Sequence, residues 1–250
     1  MRRLLLLFLM AATSCTSIYL PNAQNVPTFK EAKEFQGNAQ AQIFLPPFAH
    51  SFQAQAAYSL TNHVGVAANY SYSRTTTKGE GQLGEFGIGY YTTTKGKNYF
   101  SAFLGSGLSS SEDATNNFAF FLFGNPDPNA ATRENATRVK SNYTSWFIQP
   151  SYGFILSNHF NLIISMKSSL INFENTYYGK IFILSENQRP SYHFEPSATL
   201  KINFDNSHFS FIGQGGIHLT NDKDPKAFTN FIRLAVGVQW RFLPSHKKSD

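Results

Sequence analysis

Apolar and polar residues alternate strictly along this chain, segment after segment, from Phe35 to Phe242. In the last segment, Ile232, Leu234, Val236, Val238, Trp240 and Phe242 share one face, and Arg233, Ala235, Gly237, Gln239 and Arg241 the other. Side chains of a β-strand point alternately to its two sides, so the pattern predicts a sheet that meets two different media. About ten windows carry it: 35–43, 52–60, 64–73, 83–92, 99–108, 145–156, 161–171, 191–204, 209–219 and 231–242. No window of comparable length has helical period, and glycines recur within strands, as at Gly84, Gly87, Gly213 and Gly216, where a closed barrel tolerates them.

The connections alternate as well. Those at 61–63, 95–98, 157–159 and 205–208 are tight turns rich in Asn, Ser and Gly, whereas 74–82, 109–144, 172–190 and 220–230 are longer. Alternating short and long connections are the mark of an up-and-down antiparallel transmembrane β-barrel, with short periplasmic turns, long external loops and both termini periplasmic. The polar face supports this over a soluble barrel. Gln53, Gln55, Asn69, Glu85, Lys167, His193, Glu195, Lys201, Gln214, Arg233 and Arg241 mix amides with sparse charges, which suits a narrow hydrated lumen better than an outer surface. Phe100, Trp146, Tyr192, Phe204, Trp240 and Phe242 sit at strand ends, where aromatic girdles form.

The N-terminus adds a destination. Arg2 and Arg3 precede an apolar run from Leu4 to Ala12 that is too short to span a bilayer and reads as an export signal. Cys15, the chain's one cysteine, follows Ala12, Thr13 and Ser14, where a lipoprotein signal peptidase would cut. The expected organisation is a signal over 1–14, lipidation at Cys15, a periplasmic tether over 15–33, a barrel over 34–243 and a polar tail over 244–250. Without Arg2 and Arg3, 19 basic residues face 15 acidic ones, and they form no basic stripe interleaved with aromatics, so nucleic acid is excluded as a partner.

Three stretches resemble the outer-membrane β-barrel lipoproteins common in Bacteroidota, most of which have no assigned activity: Tyr19-Leu20-Pro21-Asn22 through Pro27, 54–72 (AQAAYSLTNHVGVAANYSY) and 84–91 (GEFGIGYY). The resemblance implies an integral outer-membrane location with outer-membrane lipid around the barrel. The last strand also resembles the outer-membrane assembly signal, apart from the residues that follow Phe242.

Catalytic and ligand chemistry is thin. His193, Glu195 and Ser197 have the types of a hydrolytic set, but alternate residues of one strand stand roughly 6–7 Å apart, too far for a direct hydrogen bond. His218 with Asp222 and Asp224 lacks a calcium-loop pattern, and no metal or cofactor is expected. Glu85, Lys167, His193, Glu195, Lys201, Arg233 and Arg241 point into one lumen and are expected to pair as a charge network, since an unpaired buried charge is costly. The expectation is a non-enzymatic barrel with a largely plugged lumen, displaying surface loops or scaffolding envelope proteins. The alternatives are a narrow anion-preferring pore and a lipid-modifying enzyme. Two apolar runs, Phe118–Phe123 with Phe120 and Phe121 at its centre, and Ile181-Phe182-Ile183-Leu184, fall in long connections and read as strand extensions or surface for a partner.

Overall fold

A computed structural model describes residues 22–45, 49–75, 79–94, 98–114, 136–179, 183–187, 190–204, 208–220 and 230–243. Among them there is no helix. The strands are β1 (Phe35–Leu45), β2 (Ala49–Ser59), β3 (Val64–Thr75), β4 (Glu80–Thr94), β5 (Asn98–Ala114), β6 (Ala136–Ile155), β7 (Phe160–Gly179), β8 (Ile183–Asn187), β9 (Ser191–Asn203), β10 (Phe209–Thr220) and β11 (Asn230–Phe242). Each neighbour pair is antiparallel, and β1 pairs with β11 from Phe35↔Phe242 to Leu45↔Ile232, which closes a barrel of 10 strands. β8 stands outside the ring and extends the sheet by pairing with the far end of β7. Closure leaves no free edge within the barrel.

The sequence windows coincide with the ten ring strands, but β5, β6 and β7 run well past them, to 17, 20 and 20 residues. The opposite wall is short, with β1 and β2 of 11 residues each. The rim at the end that carries the longer connections is therefore slanted; this is the loop end, and the other the turn end.

Side-chain polarity changes along the tall wall. Near the turn end, Phe154, Tyr152, Ile148 and Trp146 of β6 are exposed while Ser151, Gln149 and Ser145 are buried. Past Trp146 the order reverses: Thr144 and Asn142 are exposed, and Tyr143 and Val139 are buried. β7 reverses at a matching level: Leu170 gives way to exposed Asn172 and Glu174, over buried Phe173 and Tyr177, while on β5 the outward apolar run ends at Leu108 and half-buried serines and exposed Glu112 follow. Leu83, Tyr143, Ile171 and Phe173 form an apolar cluster inside this upper region. The lower barrel is thus apolar outside and polar inside, and the upper fin is the converse. The apolar belt on β6 runs from Phe154 to Trp146, about 27 Å of strand at ~3.4 Å per residue and about 21 Å of height at a tilt of roughly 40°.

Candidate functional site in the lumen

Residues 22–29 occupy the barrel interior, and every one of them is buried. Residues 22–29 of the segment expected as a tether over 15–33 thus lie inside the barrel, and 15–21 lie outside the described residues. The segment runs lengthwise, with Phe29 near the turn end against Ala57, Tyr91 and Phe103, Val26 against Tyr99 and Ile163, and Asn22 beside Arg233 far up β11. Arg241 and Arg233, which bind Thr28 and Asn22, are eight positions apart, about 26 Å of strand and about 20 Å of axial height at a tilt of roughly 40°. A fully extended chain covers about 20–22 Å over the six positions from Asn22 to Thr28. The segment therefore lies stretched along the axis. At the turn end the chain reverses into β1, with Lys33 in the left-handed region at φ 64° and its N–H donating to the Ser59 carbonyl at 2.8 Å.

The wall holds this segment chiefly by its backbone. The Ala23 N–H donates to Gln53 Oε1 at 3.1 Å, and Gln55 Nε2 donates to the Ala23 carbonyl at 2.7 Å. Gln214 serves both groups of the next residue, accepting from the Gln24 N–H at 2.8 Å and donating to its carbonyl at 3.1 Å. Gln149 donates to the Asn25 carbonyl at 2.8 Å, Lys201 to the Val26 carbonyl at 2.8 Å and Arg241 to the Thr28 carbonyl at 3.1 Å. The Thr28 N–H donates to Gln36 Oε1 at 3.1 Å. A buried backbone group left unpaired costs as much as a lost hydrogen bond, so amides placed inward at every second residue are what let a polar segment lie here.

The charges of the expected network are distributed around the segment. Lys167 pairs with Glu85, its ammonium 4.8 Å above the Phe147 ring, and Glu85 also accepts from Asn22 at 3.3 Å and from Asn69 at 3.2 Å. Arg233 pairs with Glu195 at 3.1 Å while donating to the Asn22 carbonyl. Arg241 pairs with Glu34 at 2.7 Å, a partner that the sequence analysis left out. Lys201 is directed at the Val26 carbonyl and at Thr28 Oγ1, 3.5 Å away.

His193 stands apart from these pairs. It shares a 2.7 Å hydrogen bond with Ser191 Oγ through Nε2 and another of 2.7 Å with His218 Nε2 through Nδ1. The imidazole is long enough to bridge the strand spacing that was expected to keep alternate residues apart, so Ser191 is joined to His193 along one strand. Glu195 is instead engaged by Arg233, and Ser197 lies further along β9, beside Gly216. Asp222 and Asp224 lie outside the described residues, as do Phe118, Phe120, Phe121, Phe123, Ile181, Phe182 and Cys15. Ile183 and Leu184 begin β8, pairing with Tyr178 and Tyr177; Leu184 packs on Val139 and Tyr177, and Ile183 is exposed.

No protein-family model and no curated protein matches the chain. Among solved structures it is similar to the outer membrane protease OmpT from Escherichia coli, with a TM-score of 0.51 at 7% identity over 84% of this chain and 94% of that one. It is also similar to an outer membrane channel from Pseudomonas putida F1 (TM-score 0.45, 9% identity, 89% and 100% covered) and to the N-terminal β-barrel domain of Pseudomonas aeruginosa OprF (0.37, 12%, 85% and 100%). At these identities the likeness concerns the fold alone. That fold is the closed antiparallel barrel of outer-membrane proteins.

Proposed function

We propose that this chain is an integral outer-membrane β-barrel protein with a closed lumen, non-enzymatic, lipidated at Cys15, that presents its loop end as a display or scaffolding surface for envelope partners. The observation that carries the closed lumen is the segment 22–29, which fills the interior and commits the inward amides and charges of the wall. The reversal of polarity between belt and fin supports the membrane setting: apolar side chains face outward where lipid would lie, and inward where water would surround the wall. The short turns on one side and the long connections on the other support a periplasmic turn end and an external loop end. On this reading β5, β6, β7 and β8 form a wall that stands out of the membrane and offers edge and loops to a partner.

The pore reading loses ground on the same geometry. With Glu34 counted, three of the four inward cations meet carboxylates and Lys201 meets a carbonyl, so little fixed positive charge is left to select anions. Planar-bilayer recording of the intact protein tests the proposal: silence is expected, and steady openings of porin size would overturn it. The enzymatic reading rests on the Ser191–His193–His218 chain alone. A change in envelope lipid composition that depends on Ser191 would establish it and displace the scaffold.

A further inference from the structure

The direction of the luminal segment has a topological consequence. Phe29 and Thr28 lie near the turn end, Val26 is bonded to Lys201 above them, and Asn22 is bonded to Arg233, near the loop end of β11. The chain thus ascends, read backwards, from the turn end toward the loop end, and at Asn22 it still points that way. We infer that residues 22–29 are one stretch of a threaded segment: the chain passes through its own barrel, and the residues before Asn22, Cys15 among them, belong to the loop-end face, opposite the end of β11 that carries the C-terminal residues. This rests on the proposed reading of the chain as a membrane barrel with an occupied lumen.

Two observations weigh against a return to the turn end. A returning strand would have to run beside 22–29 over the same ~20 Å of height, and its backbone groups would need partners in a wall whose glutamines and cations already serve the first pass. At the level of Asn25, Glu85 and Gln149 the described void is about 10 Å³, room for about one water and not for a peptide. A larger cleft of about 670 Å³ lies at the turn-end mouth, around Thr28, Phe29, Lys30, Tyr99 and Arg241, where the segment leaves the lumen. The forward path is short by comparison. Arg233 is three positions from the first residue of β11, about 10 Å of strand. The seven positions from Asn22 back to Cys15 reach about 23–25 Å when extended, enough to pass the low rim formed by β1, β2 and β11. An acyl group on Cys15 would then enter the leaflet on the loop side, where Leu45 and Ile232 mark the outward face, and the lipid and the C-terminus would be separated by the bilayer.

The test is cysteine accessibility in the full-length protein in cells, read with a membrane-impermeant maleimide before and after permeabilisation. Ser17→Cys reports on the segment, Asn142→Cys on the exposed loop side of β6, and Asn158→Cys on the exposed β6–β7 turn. Ser17→Cys is expected to label under the same condition as Asn142→Cys, whichever face proves external. Labelling together with Asn158→Cys, or only after denaturation, would overturn the threading. The unmutated parent controls for the lipid. If Cys15 is acylated the parent stays unlabelled; if it labels, the lipid reading fails while the face on which it labels reads the threading directly. The same loop-side face as Asn142→Cys would support threading, and the turn side would refute it.

Discussion

The pair of Lys167 and Glu85 gives the sharpest test of how the lumen is held together. Both side chains are almost wholly buried, at 2% and 3% exposure, in contact across the interior from β7 to β4. Lys167→Met removes the ammonium but leaves the Glu85 carboxylate buried with the amides of Asn22 and Asn69 as its donors among the described residues. Breaking a buried pair from one side costs about 3–5 kcal/mol, whereas replacing both charges with neutral groups of similar size is roughly neutral. Glu85→Gln with Lys167→Met keeps an acceptor for Asn22 and Asn69 and adds no orphaned charge. It gives up the contact of Lys167 with the Phe147 ring, worth about 0.5–2 kcal/mol. The double variant is therefore expected to recover about 2 kcal/mol or more of the single variant's loss, a coupling well above the few tenths that distant sites show. Urea unfolding in detergent micelles, followed by tryptophan fluorescence and by the heat-dependent shift in gel mobility, measures each corner of the cycle. A single variant that loses less than about 1 kcal/mol, as a solvent-exposed pair would, refutes the claim that this pair is sealed from solvent. So does a double variant no more stable than the single one.

Val236 is outward and 67% exposed on β11, so Val236→Arg is expected to cost about 2–4 kcal/mol at mid-bilayer and to lower assembly yield; an unchanged yield would place that face in water. Gly37 lies under the Trp240 indole, which an added Cβ would meet at 2.3 Å, so Gly37→Val in a Trp146→Phe background should expel the ring and shift its emission, and an unaltered spectrum counts against the packing. Cys15→Ala should abolish incorporation of radioactive fatty acid while export continues; persistent labelling would sink the lipoprotein reading. Replacing Phe120 and Phe121 with Ser should leave assembly intact and speed cleavage by external protease, whereas loss of assembly would make 118–123 a membrane strand.

Ten ring strands were legible because each of them sets apolar side chains outward and polar ones inward, and a two-residue period records that difference directly. The windows stopped at Ser145 and Ile171 because the rule was applied with one sign only. Beyond those positions the alternation continues, but Tyr143, Phe173 and Tyr177 turn inward and Asn142, Asn172 and Glu174 outward. A reading that allowed the sign to change where the outward apolar belt ends would have carried β6 and β7 further; β5 runs Ser-Ser-Ser-Glu-Asp past Leu108 and offers no alternation to follow. Ser191 was absent from the candidates, and the spacing argument applied to His193, Glu195 and Ser197 ignores how far an imidazole reaches along one strand.

The luminal segment was illegible for a deeper reason. A strand at an interface alternates because its two faces differ; a chain surrounded by wall on every side has no second face, so 22–29 shows no period and its polar residues and Pro27 look like a linker. Burial ordinarily selects against such a sequence, since unsatisfied amides and carbonyls are expensive away from water. Here the cost is met from the wall: Gln36 and Gln53 accept from backbone N–H groups, Gln55 and Gln149 donate to carbonyls, and Gln214 does both, over the stretch from Ala23 to Thr28. The trace of the segment in the sequence therefore lies in the strands that receive it. Inward glutamine is a poor filler for a dry core and an indifferent lining for an ion path, but it matches a peptide bond donor for acceptor, and Gln214 meets both groups of one residue. Five of the inward glutamines of this barrel thus match an extended backbone in its lumen, and that backbone is the barrel's own.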